Sequence, residues 1–177
     1  MGDWASLVTE HSAALQEFVL LGRQVSPAQW TQPLAPGKWT PAEVISHLSE
    51  SYQVLRGELA GGPGMQLRLR RLQRWVLRHT MLPRILTSGK FPAGARAPRE
   101  TRPREVQITP VAALHRLSTE ADAFVQELSD RARDGGVRLT HAYFGQMSAR
   151  QSLRLVTVHT RHHAHQLRAM VAKYPTF

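Results

Sequence analysis

The stretch HTRHHAHQL, residues 159–167, places four histidines within seven positions, with Gln166 directly after the last. Neutral imidazole is a common ligand for divalent metals, and its proton comes and goes near neutral pH. Metal binding, a pH response and a plain solvated helix face are therefore all open to this cluster, and angular position separates its members. At about 100° per residue of helix, His163 and Gln166 fall within about 40° of His159. Val156, Leu167 and Met170 lie on the same side, so this patch borders the core-facing stripe. His162 falls off the edge of the patch, and His165 points away from the apolar side. Two imidazoles four residues apart meet on one helix face and can share one ion. A third ligand is available in His47, three residues after Val44 on the edge of an earlier apolar stripe. Three protein ligands with open positions suit a catalytic metal, whereas a purely structural site is normally closed by four.

The remaining histidines offer less. His11 sits on the apolar side of the first helix and reads as a hydrogen-bonded core or rim residue. His79 and His115 have no evident partner. His141, in LTHAYFGQMS, falls in a loop where it could position a neighbour or line a pocket.

The elements that must hold these residues are helical. One helix is expected from about Asp3 to Leu21, with Trp4, Leu7, Val8, His11, Leu15, Phe18 and Leu21 at helical spacing and Gly22 as its stop. A second opens in KWTPAEV, where Thr40 caps, Pro41 takes the first position and Glu43 closes a capping box. Trp39 and Val44 add a hydrophobic staple, and Val44, Leu48, Ser51, Leu55 and Leu59 form its buried stripe. The third long helix opens at Thr109–Pro110, continues through Leu114, Leu117, Ala121, Phe124 and Leu128, and ends at DGG. The fourth opens at Ser148, whose SARQ again fits a capping box, and runs to about Lys173 with Leu153, Val156, Leu167, Met170 and Val171 on its apolar side.

Between the second and third lies a basic, proline-rich crossover, about residues 62–108. Its first part predicts a shorter helix that Pro83 breaks or kinks. Its second part, GKFPAGARAPRETRPREV, reads as an extended arm following the surface. No alternating strand pattern of useful length occurs. The fold class is therefore all-α: a four-helix bundle with one long crossover, a single domain over residues 1–177.

Composition narrows the chemistry. With 42% hydrophobic and 20% charged residues, the chain can build an ordinary globular core. No apolar run is long enough to span a membrane, and MGDWASLVTEH lacks the order of a secretion signal, so a cytoplasmic protein is the expectation. Cysteine is absent. That excludes disulfides, thiolate ligands and a protein-borne thiol nucleophile, leaving histidine, carboxylate and water to bind any metal. The formal net charge of +10 resides in residues 68–104, which hold eleven Arg or Lys and one acid, while the rest of the chain balances.

Two segments also resemble a known family. KWTPAEVISHL is similar to the second-helix opening of the DinB/YfiT-like superfamily, W-[ST]-x-x-E-V-x-x-H-L. HAYFGQMSARQSLRLVTVHTRHHAHQL resembles that family's H-P-x-F-G-like loop and closing helix with H-x3-H-x2-Q, although Ala142 stands where the loop often has proline. The resemblance implies an up-down-down-up bundle whose divalent metal, nickel or zinc most often, is held by His47, His159 and His163 and stays open to water or substrate. Gln166 takes the place of the family's glutamine beside the triad, and some members form homodimers. Characterised relatives include transferases and isomerases that use low-molecular-weight thiols.

Two functions from different classes follow. The first is a metal-dependent enzyme, a thiol S-transferase or related hydrolase, acting on a small molecule. His47, His159 and His163 would be its ligands, and Gln166, His141 and Ser51 would support those ligands or line the pocket. No carboxylate is clearly placed as general base: Glu43 is engaged in capping, and Glu50 points off the stripe. The second is a non-catalytic bundle that binds a partner, anionic lipid or nucleic acid. It would use an anion-binding face of Arg68, Arg71, Arg74 and Arg78 beside Leu69, Leu72, Trp75 and Val76. Solvated arginines whose stems cover apolar surface account for that face more simply, so neither nucleic acid nor a membrane surface is the expected partner.

Overall fold

Helix α2 (Pro41–Leu59) begins as its residues dictate. The Thr40 side chain accepts the Glu43 N–H at 3.2 Å, and the Glu43 carboxylate accepts the Thr40 N–H at 2.8 Å. This reciprocal cap satisfies two backbone donors that a helix start leaves without partners. Helix α5 (Ala149–Lys173) starts the same way: Ser148 N–H donates to Gln151 Oε1 at 3.1 Å, and Ser148 Oγ accepts the Gln151 N–H at 3.3 Å. Helix α1 (Trp4–Arg23) is capped by Asp3, and helix α4 (Pro110–Ala132) by Thr109. The computed structural model describes residues 3–92, 96–104, 107–132 and 136–173.

These four long helices build the main core. α1 packs against α5 and α4, and α2 packs against α4 and α5. Phe18, Leu48, Leu117, Phe124, Leu153 and Leu167 are buried at their meeting. Each such side chain contributes about 1.5–3 kcal/mol on leaving water. Every residue of the predicted α2 stripe is buried, Ser51 included, and Trp39 packs on the same core as Val44.

Several expectations need correction. Gly22 does not stop α1. It is a buried helical residue, and a Cβ there would stand 2.6 Å from Leu114 Cδ2, so this glycine serves close packing of α1 on α4. Pro83 does not break helix α3 (Arg71–Ser88). Leu82 and Ile85, on either side of it, are buried against Phe144, Met147, Leu155 and Val158. That packing outweighs the local cost of one missing N–H donor, about 3 kcal/mol.

The chain is mostly helical rather than wholly so. Strands β1 (Arg138–His141) and β2 (Gly145–Ser148) form an antiparallel hairpin, with His141 opposite Gly145 and Leu139 opposite Met147. Its three-residue loop closes on Gly145 at φ +71°, the left-handed conformation such hairpins place on glycine. The Glu58 carboxylate, near the end of α2, accepts both the N–H and the hydroxyl of Thr140 and so fixes β1 to the helices.

The crossover arm does more than follow the surface. It forms a short 3-10 turn at Arg99–Thr101, and Thr101 is buried. Arm residues 93–95 and 105–106, and the helix stop expected at 134–135, lie outside the described residues.

Candidate metal centre

Three imidazoles from two helices converge at one point. His47 of α2 and His159 and His163 of α5 bring their Nε2 atoms together. His159 Nε2 lies 3.0 Å from His47 Nε2 and 3.0 Å from His163 Nε2. The rings meet edge to face, with centroids 4.6–5.0 Å apart. Among the described residues, this group alone brings at least three histidine or acidic side chains close enough to share an ion.

What each ring does with its other nitrogen is decisive. His47 Nδ1 donates to the Thr101 carbonyl, which can only accept. His163 Nδ1 donates to Gln166 Oε1 at 2.8 Å, and the Gln166 amide N–H donates to His162 Nε2 at 3.2 Å. With their protons on Nδ1, His47 and His163 turn bare Nε2 lone pairs toward His159. One proton on His159 Nε2 could satisfy one of them and not both. A cation between the three satisfies all of them, so this donor set fits a divalent metal. Tetrahedral ligands about 2.0–2.1 Å from zinc stand roughly 3.3 Å apart, close to the spacing found. The pattern of a ligating imidazole whose far N–H is held by a carbonyl or amide is the usual way metal-binding histidines are oriented.

Burial keeps the rings neutral, as metal binding requires. Burial lowers His47 to about 4, only partly opposed by the Thr101 carbonyl. Burial first, then the neighbouring imidazoles, hold His159 and His163 well below the ordinary histidine value. Desolvation penalises the imidazolium, and a second positive charge nearby penalises it further.

The walls are aromatic. Trp39 stacks beside His163 with ring centroids 6.2 Å apart and lies 4.7 Å from His47. Phe91, just past α3, contacts His159 and His162 at 5.5 and 5.6 Å. His47 and His163 are buried while His159 is half-buried, so the centre is most accessible on the His159 side.

The other candidate residues are distributed around this centre. Gln166 is the hydrogen-bond partner of His163. Ser51 is buried one turn beyond His47, and its hydroxyl donates to the His47 carbonyl at 2.8 Å, along its own helix. His141 ends β1, stacks on Phe144 at 4.6 Å, and is lowered to about 4 by burial. His165 is exposed, as its angle indicates, and His162, left at the margin by angle alone, joins the centre through Gln166.

Glu50 does not point away. It is buried, and it pairs with Arg116 of α4 at 3.2 Å and with Arg104 of the arm at 3.7 Å. Of the four-arginine face, Arg74 and Arg78 turn inward and bond the Leu69 and Gln146 carbonyls. Arg68 pairs with Glu100 at 3.4 Å, and Arg71 is exposed. The Thr101 carbonyl and Phe91 were not legible as site residues. A backbone acceptor carries no side-chain signal, and one phenylalanine in a proline-rich arm has no periodic partner.

The fold and the site together define a mostly helical protein with a three-histidine group that could hold a metal ion. The sequence model of the DinB superfamily matches residues 10–167, and the chain belongs to that superfamily. All three histidines and Gln166 lie within the matched span. No curated protein and no solved structure matches the chain significantly.

Proposed function

We propose that this protein is a divalent-metal-dependent enzyme whose ion, nickel or zinc, is held by His47, His159 and His163. The observation that carries this reading is the convergence of three Nε2 atoms, two with their protons committed elsewhere. Membership of a superfamily that is often metal-binding supports it. The pairwise packing of α1, α2, α4 and α5 supports a four-helix, up-down-down-up bundle as the scaffold.

A bound ion would supply Lewis acidity, lowering the pKa of a coordinated thiol or water. The chain's own residues do the rest. Thr101 and Gln166 hold two rings in the ligating tautomer, and burial keeps them unprotonated. Trp39 and Phe91 shield the centre from bulk water, leaving approach on the His159 side. A sulfur nucleophile must come from a cosubstrate, because the chain contains no cysteine. We therefore assign the reaction as low-molecular-weight-thiol-dependent S-transfer or a related hydrolysis, carried out in the cytoplasm on a small molecule. Glu43 is held by its cap and Glu50 by two arginines, so neither carboxylate is free to serve as general base.

The test is metal content. Protein without a histidine tag, incubated with zinc or nickel and desalted, is expected to retain about one ion per chain by elemental analysis. His163→Ala is expected to bind more than about 100-fold more weakly, since losing even an outer partner of a ligand costs about 10–100-fold. Absence of metal from wild type and variant alike would refute the reading.

A further inference from the structure

Six large hydrophobic side chains are exposed among the described residues, and four of them, Leu67, Leu72, Trp75 and Val76, fall within ten positions at the start of α3. Leu72 is 72% exposed and Trp75 59%. At about 100° per residue, Trp75, Leu72 and Val76 occupy a single arc of about 100° on the helix, with His79 and Pro83 inside it. Two turns further along α3, Leu82, about 20° from Trp75 around the helix, and Ile85 are buried in the core beneath. The apolar arc that faces water thus belongs to the first turns of the helix.

Around this arc the charge has one sign. Arg70 and Arg71 are exposed at the helix start and Arg84 on its far flank, within a segment holding eleven Arg or Lys and one acid. Arg78, bonded to the Gln146 carbonyl of β2, ties the helix to the hairpin, while Arg74 bonds the Leu69 carbonyl just ahead of the helix, and both leave the apolar arc outward.

We propose that this outer face of α3 docks on an anionic membrane surface. The helix would lie in the plane of the interface, with Leu72, Trp75 and Val76 entering the headgroup boundary and the surrounding arginines meeting lipid phosphates. An apolar stripe with tryptophan, rimmed by arginine, is the composition of interfacial helices. Among the described residues no helix is long and apolar enough to cross a membrane, so the contact is peripheral.

Charge selects this occupant over two others. A second copy meeting this face symmetrically would oppose the basic segment to itself. Nucleic acid would demand cations at the centre of the patch, where this surface is apolar and two of its arginines are committed to carbonyls. The sequence alone favoured solvated arginines; the exposure of the apolar arc is what changes that reading.

The experiment is co-sedimentation of the full chain with phosphatidylcholine vesicles, with and without phosphatidylglycerol, at low and high salt. Wild type is expected to partition onto phosphatidylglycerol vesicles at least about 10-fold more strongly than onto neutral ones, with binding weakened by salt. The double variant Leu72→Ser/Trp75→Ser is expected to lose about 10-fold or more, because each side chain forfeits its burial in lipid. Both residues are exposed, so its circular dichroism and melting temperature should match wild type. Brominated lipid should quench Trp75 in wild type, and that quenching should vanish in Trp75→Phe while binding persists.

The proposal is overturned if wild type does not sediment, or if the double variant binds as well as wild type. It is also overturned if duplex DNA binds more tightly than the vesicles. A dimer seen by light scattering, converted to monomer by the double variant without vesicle binding, would assign the face to a second copy. None of these readouts involves metal, so failure here leaves the histidine centre untouched.

Discussion

Two polar networks that include histidine sit in the same set of helices, one around His11 alone and one around His47, His159 and His163, and only the second has the polarity of a metal site. In the first, His11 Nε2 lies 2.8 Å from Tyr52 Oη, Tyr52 Oη lies 3.0 Å from Thr160 Oγ1, and Thr160 donates to the Val156 carbonyl at 3.0 Å. Each proton in that chain has an acceptor, and the run ends on a carbonyl. In the second, the protons of His47 and His163 are drawn outward to Thr101 and Gln166, and lone pairs are left facing one another. Burial lowers His11 and His47 alike to about 4. Burial and depressed basicity therefore do not distinguish a ligand from a core histidine. The direction of the second nitrogen does.

Acid should affect both groups, and by the largest amount. His11, His47 and His141 are each held near 4, below the ordinary value of 6.5, and burial with neighbouring imidazoles holds His159 and His163 well below that value too. Between about 6.5 and 4 the unfolded chain takes up protons that the native chain refuses. Stability of the metal-free protein should therefore fall as pH falls through that window. Urea unfolding at a series of pH values measures this; a stability independent of pH there would contradict the buried neutral state.

The next perturbation separates the groups. Gln166→Leu removes the acceptor that holds His163 in its ligating tautomer. Zinc affinity by calorimetry should fall about 10–100-fold, with much less change in stability. Tyr52→Phe should do the reverse. It leaves His11 and Thr160 without their shared partner, costing about 1–3 kcal/mol in urea unfolding, while metal affinity stays at the wild-type value. Equal effects of both variants on metal binding would dissolve the distinction.

Much of this arrangement could be read from local rules. The capping box at Thr40 fixes where α2 starts and hence which side His47 occupies, and helical angle alone sorts His159, His163 and Gln166 from His165. What resisted reading depends on contacts distant in sequence. The Thr101 carbonyl reaches His47 from 54 residues away and is a backbone group. Glu50 becomes a buried residue only through arginines supplied by α4 and the arm. The hairpin strands are four residues each, too short for alternation to register, and their pairing relies on Gly145 in the turn. At Gly22 and Pro83, residues that usually end helices were overruled by packing, on Leu114 in one case and through Leu82 and Ile85 in the other.

The central claim is that the three converging nitrogens bind one ion. X-ray absorption on the zinc-loaded protein reads that shell directly. The account predicts three imidazole nitrogens at about 2.0–2.1 Å, completed by an exchangeable light-atom ligand, with the imidazole count reduced in His47→Ala. A shell with no imidazole scattering, or one unchanged by His47→Ala, would contradict it.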